Sequence, residues 1–242
     1  MTKDYYNFWN KNRTANRLLH REKLALGLVE KYSKKNNSIL DVGCGNGKFI
    51  EAMSRVAPGS KISGLDFSDA EIKEAQKNGL DVSKANFENG IPVPKNKLDL
   101  VYAGEILEHL QDPDFFLEEI NRILKNSGHL ILTTPNLCAW FNRILLPLGI
   151  QPLFLEPSTR SKFVGAGVLK RFKKDSQPVG HVRIFTIAAL RDLLRMNGFK
   201  LMCIEGAIYD EGLPKNIWWI DRLFSFFPSL SSNLIVVAKK IN

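Results

Sequence analysis

Cysteine, acidic residues and long apolar runs are all scarce in this sequence. Its three cysteines, Cys44, Cys138 and Cys203, are odd in number, widely spaced and form no Cys-x-x-Cys. That excludes a disulfide framework or a zinc ribbon and points to a reducing compartment, so a cytoplasmic location is expected. No stretch approaches the roughly 18 apolar residues that span a bilayer, and the start, Met1 to Tyr5, lacks the apolar segment of a signal peptide. Gly-Lys-Ser/Thr is absent, which excludes a phosphate-cradling P-loop. His, Glu and Asp show no metal-ligand spacing along the chain, so no metal is expected.

The 242 residues suit one α/β domain with insertions. The apolar and charged fractions, 44% and 24%, are those of an ordinary globular protein. The net charge of +9 is local. Residues 1–35 carry nine Lys and Arg against three Asp and Glu, and residues 158–183 carry seven against Asp175 alone. The remainder is mildly acidic. Such local basicity suits either an anionic acceptor, an anionic lipid surface or plain solvated surface.

From Ser38 onward, β-rich runs alternate with helical patterns, the signature of a parallel sheet. Ser38–Val42, Lys61–Asp66, Leu80–Ala85, Leu98–Ala103 and His129–Thr134 read as five strands. Phe49, Met53 and Val56 mark one helix. Ser68 with Glu71 predicts a capping box for a second. Asp112-Pro113 starts a third, with a stripe of Phe116, Ile120, Ile123 and Leu124. Thr186 caps a helix carrying Leu190 and Leu194, and Phe199–Ile204 and Leu234–Ala238 are two last strands. Insertions at 136–182 and 206–232 interrupt the alternation. Both contain apolar runs (137–155 and 217–227), read as a helical cap or a membrane-facing one. The first 35 residues read as helical, with Tyr5, Tyr6 and Trp9 ahead of the helix.

The most informative run is Ile39-Leu40-Asp41-Val42-Gly43-Cys44-Gly45-Asn46-Gly47. Glycines directly after a strand let backbone approach a ligand closely. Asp41, inside the strand, suits a ligand bearing an ammonium group. Asp66, ending strand two, suits ribose hydroxyls. An ordinary nicotinamide-binding domain is the alternative at this point.

The run Leu40–Gly47, Asp66, and Asp99-Leu100-Val101 leading into Glu105-Ile106-Leu107-Glu108-His109-Leu110 resemble class I S-adenosylmethionine-dependent methyltransferases. They are most similar to the small-molecule, ubiquinone/menaquinone-biosynthesis-like group. The likeness covers roughly residues 38–136 well and 181–205 more loosely. It implies a doubly wound, seven-stranded, mostly parallel sheet (the Rossmann-like methyltransferase fold) with helical insertions forming a cap. The implied boundaries are a cofactor-covering segment over residues 1–35 and a methyltransferase domain over 36–242. The resemblance further implies that Gly43, Cys44 and Gly45 pass under the methionine moiety of S-adenosylmethionine and that Asp41 holds its amino group. Asp66 would bind the ribose, with Phe67 packing on adenine. Asn86 and Phe87 would border the adenine edge, and Ala103 and Gly104 would approach the sulfonium. Asn86 stands where many relatives carry Asp; its carbonyl oxygen can still accept from an exocyclic amine.

Methyl transfer needs alignment and a dry site more than it needs a base. Of the four histidines, His20 and His129 read as structural. His109 and His181 are the candidates for a base or an acceptor ligand. Gly165, Gly167 and Gly180 are candidate hinges of a lid over 158–180. The expected function is methyl transfer to an oxygen of a small, apolar or anionic acceptor. The rivals are a nucleic-acid methyltransferase and a non-catalytic binding partner. The absence of an Asn/Asp-Pro-Pro-Tyr/Phe signature and of an appended RNA-binding motif counts against nucleic acid.

Overall fold

The computed structural model describes residues 18–172 and 175–241. Tyr5, Tyr6, Trp9, Lys173 and Lys174 lie outside the described residues. Helix α1 (His20–Tyr32) is followed by β1 (Ser38–Val42), α2 (Lys48–Val56), β2 (Lys61–Asp66), α3 (Asp69–Lys77), β3 (Val82–Lys84) and β4 (Leu98–Gly104). Then come α4 (Pro113–Ile123), β5 (Leu124–Pro135), α5 (Trp140–Leu145), α6 (Ile187–Met196), β6 (Phe199–Ala207), α7 (Trp218–Ser225) and β7 (Asn233–Lys240). Among the described residues these strands form one seven-stranded sheet in the order β3-β2-β1-β4-β5-β7-β6. β7 alone runs antiparallel, to both β5 and β6. The doubly wound, mostly parallel sheet expected from the sequence is present.

Local chemistry sets the helix starts. Asp112 Oδ1 accepts from the Phe115 N–H at 2.9 Å, ahead of Pro113 in the first turn of α4. Thr186 Oγ1 accepts from the Ala189 N–H at 3.1 Å and starts α6. Ser68 Oγ accepts from the Glu71 N–H at 3.4 Å, the Ser-side half of the expected box. Helix α1 begins with a signal that the sequence reading missed: the Leu19 N–H donates to Glu22 Oε2 at 2.7 Å.

One face of the sheet packs on α4 and α6 through Phe116, Ile120, Leu190 and Leu194. The other packs on α1, α2 and α3 through Leu28, Val29, Phe49, Met53 and Ile72. Helix α1 is therefore one of the sheet's core helices. Strand edges differ from expectation. β3 starts only at Val82, because Gly79 at φ +76° ends α3 and the Leu80 N–H bonds back to the Ala75 carbonyl. β5 starts at Leu124, because Leu124 pairs with Leu98 across a register shift in β4. β6 and β7 each run past the apolar stretch that marked them, to Ala207 and Lys240.

Gly64, in the middle of β2, shows how tightly the sheet meets the loop after β1. A Cβ there would stand 2.6 Å from both Cys44 Sγ and Ile50 Cδ1. Gly64→Ala is expected to cost about 1–3 kcal/mol through overpacking, read as a lower denaturation midpoint in urea.

Candidate functional site

The site lies at the carboxyl ends of β1, β2 and β4, where ligands of doubly wound sheets bind. Asp41 pairs in register with Gly64 of β2 and Tyr102 of β4, and its side chain is 1% exposed. After Val42 the chain turns through Gly43, Gly45 and Gly47, at φ +79°, +52° and +81°. L side chains resist those angles, so the turn needs glycine. The Gly43 and Cys44 N–H groups both donate to the Leu65 carbonyl.

Asp66 then ties the turn to β2. Its Oδ2 accepts from the Gly45 N–H at 2.8 Å and its Oδ1 from the Ser68 N–H at 2.8 Å. A carboxylate offers about four lone-pair sites, so two N–H bonds orient the group and leave capacity for a ligand's hydroxyls. The donor set thus fits a ribose-bearing cation: a buried carboxylate at Asp41, an oriented one at Asp66 and glycine backbone between them. Cys44 is buried beside this loop, and burial together with the charges of Asp41 and Asp66 pushes its thiol pKa upward.

The other expected cofactor residues spread around this edge. Phe67 is half-buried, with Lys84 Nζ 5.9 Å from its ring centre. Asn86 accepts from the Glu88 N–H through Oδ1. Phe87 turns inward and packs edge-on against Phe116, with centroids 6.2 Å apart. Its buried ring therefore supports the edge from beneath, while Asn86 stands nearer the surface. Ala103 and Gly104 end β4 in register with Leu132 and Thr133 of β5.

Past β4 the chain carries polar groups that sequence reasoning left unassigned. Glu105 sits at φ +55°, with its N–H donating to the Thr133 carbonyl. Thr133 Oγ1 donates to Glu105 Oε1 at 2.8 Å. Arg21 of α1 reaches the same oxygen at 3.5 Å and Glu211 Oε2 at 2.8 Å. Glu108 is 0% exposed; Oε2 accepts from Thr134 Oγ1 at 3.0 Å, and Oε1 has no hydrogen-bond partner among the described residues. Burial, then the charge of Glu105, pushes the Glu108 carboxyl well above the usual carboxylate range.

The structure brings His109 and His181 together, with ring centroids 4.8 Å apart. His109 Nδ1 is 3.1 Å from the Gly180 carbonyl, and His181 Nδ1 is 2.8 Å from the Phe154 carbonyl. A carbonyl oxygen only accepts, so in each neutral ring Nδ1 carries the proton and Nε2 presents its lone pair. The 136–182 insertion is anchored here. Glu156 accepts from the Val179 and Gly180 N–H groups at 2.6 Å each, and the Val182 and Arg183 N–H groups donate to the Glu108 carbonyl. Phe141, Phe154 and Tyr209 wall the histidines on the apolar side, Phe154 lying 4.8 Å from Tyr209 and 6.4 Å from His181. His20 and His129 stand elsewhere, the first beside Ile208 and the second against Tyr32.

Glu108, His109 and His181 bring ligand atoms within 4.8 Å of one another, a set able to hold a metal ion. Linear spacing hides it, because His181 arrives from the far end of an insertion. The sequence-based expectation of no metal rested on that spacing alone.

Burial lowers the His109 pKa to about 4, and burial plus the charge of His109 lowers that of His181 to about 3. The unfolded chain takes up these protons as pH falls through about 6.5, whereas the folded chain does not until about pH 4. Their contribution to stability is therefore intact above 6.5 and lost as pH falls toward 4. In chelator-containing buffer, the slope of unfolding free energy against pH in this window should be about 1–3 kcal/mol per pH unit steeper in the wild type than in His109→Gln/His181→Gln. Chemical denaturation at stepped pH checks it.

Comparison with known proteins adds three findings. The profile of the family described as "Methyltransferase domain" matches residues 10–204. Among curated proteins, the ubiquinone biosynthesis O-methyltransferase of Pelagibacter ubique is 35% identical over 106 residues, 42% of this chain and 43% of that protein. The mitochondrial enzyme of the same name from Schizosaccharomyces pombe is 28% identical over 225 residues, 88% of this chain and 74% of that protein. The chain thus spans less than half the length of the first of these relatives. Among solved structures, the complex of the Haloferax volcanii Trm112 methyltransferase activator with a putative methyltransferase contains a similar fold. There the TM-score is 0.65 at 17% identity, with 92% of this chain and 90% of that one covered.

Proposed function

The chain belongs to the methyltransferase-domain family, and from that premise we propose that it is a cytoplasmic enzyme that binds S-adenosylmethionine and methylates an oxygen of a small-molecule acceptor. The observation that carries this reading is the Asp66 carboxylate, held by the Gly45 and Ser68 N–H groups beside buried Asp41. Three free cysteines agree with a reducing compartment. When bound, the cofactor supplies a methyl group activated on a sulfonium.

The chain's own residues do the rest. Asp66 would take the ribose hydroxyls and Asp41 the ammonium group. Phe141, Phe154 and Tyr209 exclude water from the acceptor side, as displacement at a sulfonium carbon requires. Neutral His109 and His181 present Nε2 lone pairs that can take the proton of an acceptor hydroxyl. His181, at the return of the 136–182 insertion, borders the site in this reading, and an apolar or anionic acceptor such as a lipid, sugar or quinone-like phenol fits beside it. The curated relatives named as O-methyltransferases support an oxygen nucleophile.

Release of S-adenosylhomocysteine across a panel of phenolic, sugar and lipid hydroxyl acceptors tests the reading. At least one acceptor should turn over, and His109→Gln/His181→Gln should lower kcat by about 10²–10⁴ with cofactor affinity unchanged. No turnover with any acceptor, or full kcat in the double variant, would overturn it in its catalytic part.

A further inference from the structure

The two edges of the sheet differ in length. β3 closes one edge with three residues, Val82–Lys84, whereas β6 lies at the other with nine, Phe199–Ala207. Among the described residues, no backbone group outside β7 bonds to Phe199–Ala207. A long open edge is a ready template for another strand, and proteins blunt such edges with a lysine or a bulge. β6 has both: Lys200, and a register shift between Leu201 and Cys203 around exposed Met202. Their placement also makes the strand complementary to a copy of itself.

Lys200 stands opposite Lys239 in the β7 register, and like charges directly opposite one another are unfavourable. Glu205 stands opposite Ile235. Along β7, Ile235, Val237 and Lys239 share a face, and Ile235 and Val237 pack into the core beneath α1. Lys200 and Glu205 therefore lie on that same face. An odd spacing of five residues would put them on opposite faces of a regular strand; the extra residue at the bulge brings them into phase. Among the described residues neither makes an ion pair or a side-chain hydrogen bond. Between them, Leu201 and Ile204 share the other face and are only partly buried against its core.

Turned about a two-fold axis, Lys200 of one copy falls opposite Glu205 of the other, Leu201 opposite Ile204, and Met202 opposite Cys203. The first two pairings each join residues of one face, and the axis makes each of them twice. The ends of the strand match in the same operation. Met196, 79% exposed, ends α6 just before β6 begins. At the far end, on the same face, a Cβ on Gly206 would meet the Ser225 carbonyl, so α7 ends directly over β6. Buried Asp221 accepts from the Trp140 indole N–H at 2.9 Å and the Tyr209 N–H at 2.6 Å. That turns the polar side of α7 inward and leaves Phe226 73% exposed. With Phe199 opposite Gly206 across the axis, Met196 of each copy comes against Phe226 of the other. We propose that β6 pairs antiparallel with β6 of a second copy of this chain, joining the two sheets into one. The pairing leaves the ends of β1, β2 and β4 open and is independent of the chemistry performed.

Sedimentation velocity of the full chain, from low to high micromolar concentration, tests this. The wild type should pass from monomer to dimer, and its β6 amides should exchange more slowly with deuterium as the dimer forms. Lys200→Glu alone and Glu205→Lys alone each set like charges opposite one another twice. Each should raise the dimer dissociation constant about tenfold or more while keeping the wild-type melting midpoint. An equimolar mixture of these two variants should recover the dimer, because every charge then meets its opposite across the axis. A fold defect could not be rescued in that way. A wild type that stays monomeric at every concentration would overturn the proposal. So would a dimer that survives both reversals, or a mixture that stays monomeric.

Discussion

Everything at the cofactor edge depends on how one carboxylate is held. Asp66 accepts the Gly45 and Ser68 N–H groups at 2.8 Å each and so ties the loop after β1 to the end of β2. Without that tie, three successive left-handed glycines would carry a large conformational-entropy cost for a fixed shape. With it, the loop is fixed before any ligand arrives. Pre-organisation of this kind converts contact into affinity, because less is lost on binding.

A second constraint sits on the acceptor side, where buried charge is matched across distant elements. Arg21 enters from α1, Glu105 follows β4, and Glu211 comes from the insertion before α7. An unpaired guanidinium at this depth would be strongly destabilising, so the three segments hold one another in place. Next to this group burial pushes the Glu108 carboxyl upward and keeps His109 and His181 neutral at pH 7. The two rings therefore add no positive charge where an acceptor would lie, while Asp41 and Asp66 stand on the opposite side. That division suits a cationic cofactor meeting an uncharged reacting group.

How much of this could be read from sequence follows the range of each signal. Strand alternation, Asp112-Pro113, Thr186 and the glycine run with Asp66 are local patterns, and they located the sheet and the loop that Asp66 ties to the end of β2. The pairing of His109 with His181 is not local. Each residue can be singled out, yet only the return of the long insertion onto the Glu108 carbonyl sets them side by side. Arg21, Glu105 and Glu108 read as solvated charges because their partners lie in other elements. The run Ile217–Phe227 reads as apolar, but its orientation depends on Asp221 and the donors it accepts. An aspartate inside an apolar run was the one available hint that the polar side of α7 faces inward. Phe87 illustrates the reverse case, where a residue implied by resemblance to border the ligand spends its ring on Phe116.

The central claim is that Asp66 and the glycine loop form a preset seat for an adenosyl cofactor. Isothermal titration of the purified chain with S-adenosylhomocysteine addresses it most directly, with NAD as the competitor. The account predicts micromolar binding, about −8 kcal/mol, a loss of about 1–3 kcal/mol in Asp66→Ala, and no competition by NAD. Absence of binding to the wild type, an unchanged affinity in Asp66→Ala, or tighter binding of NAD would contradict it.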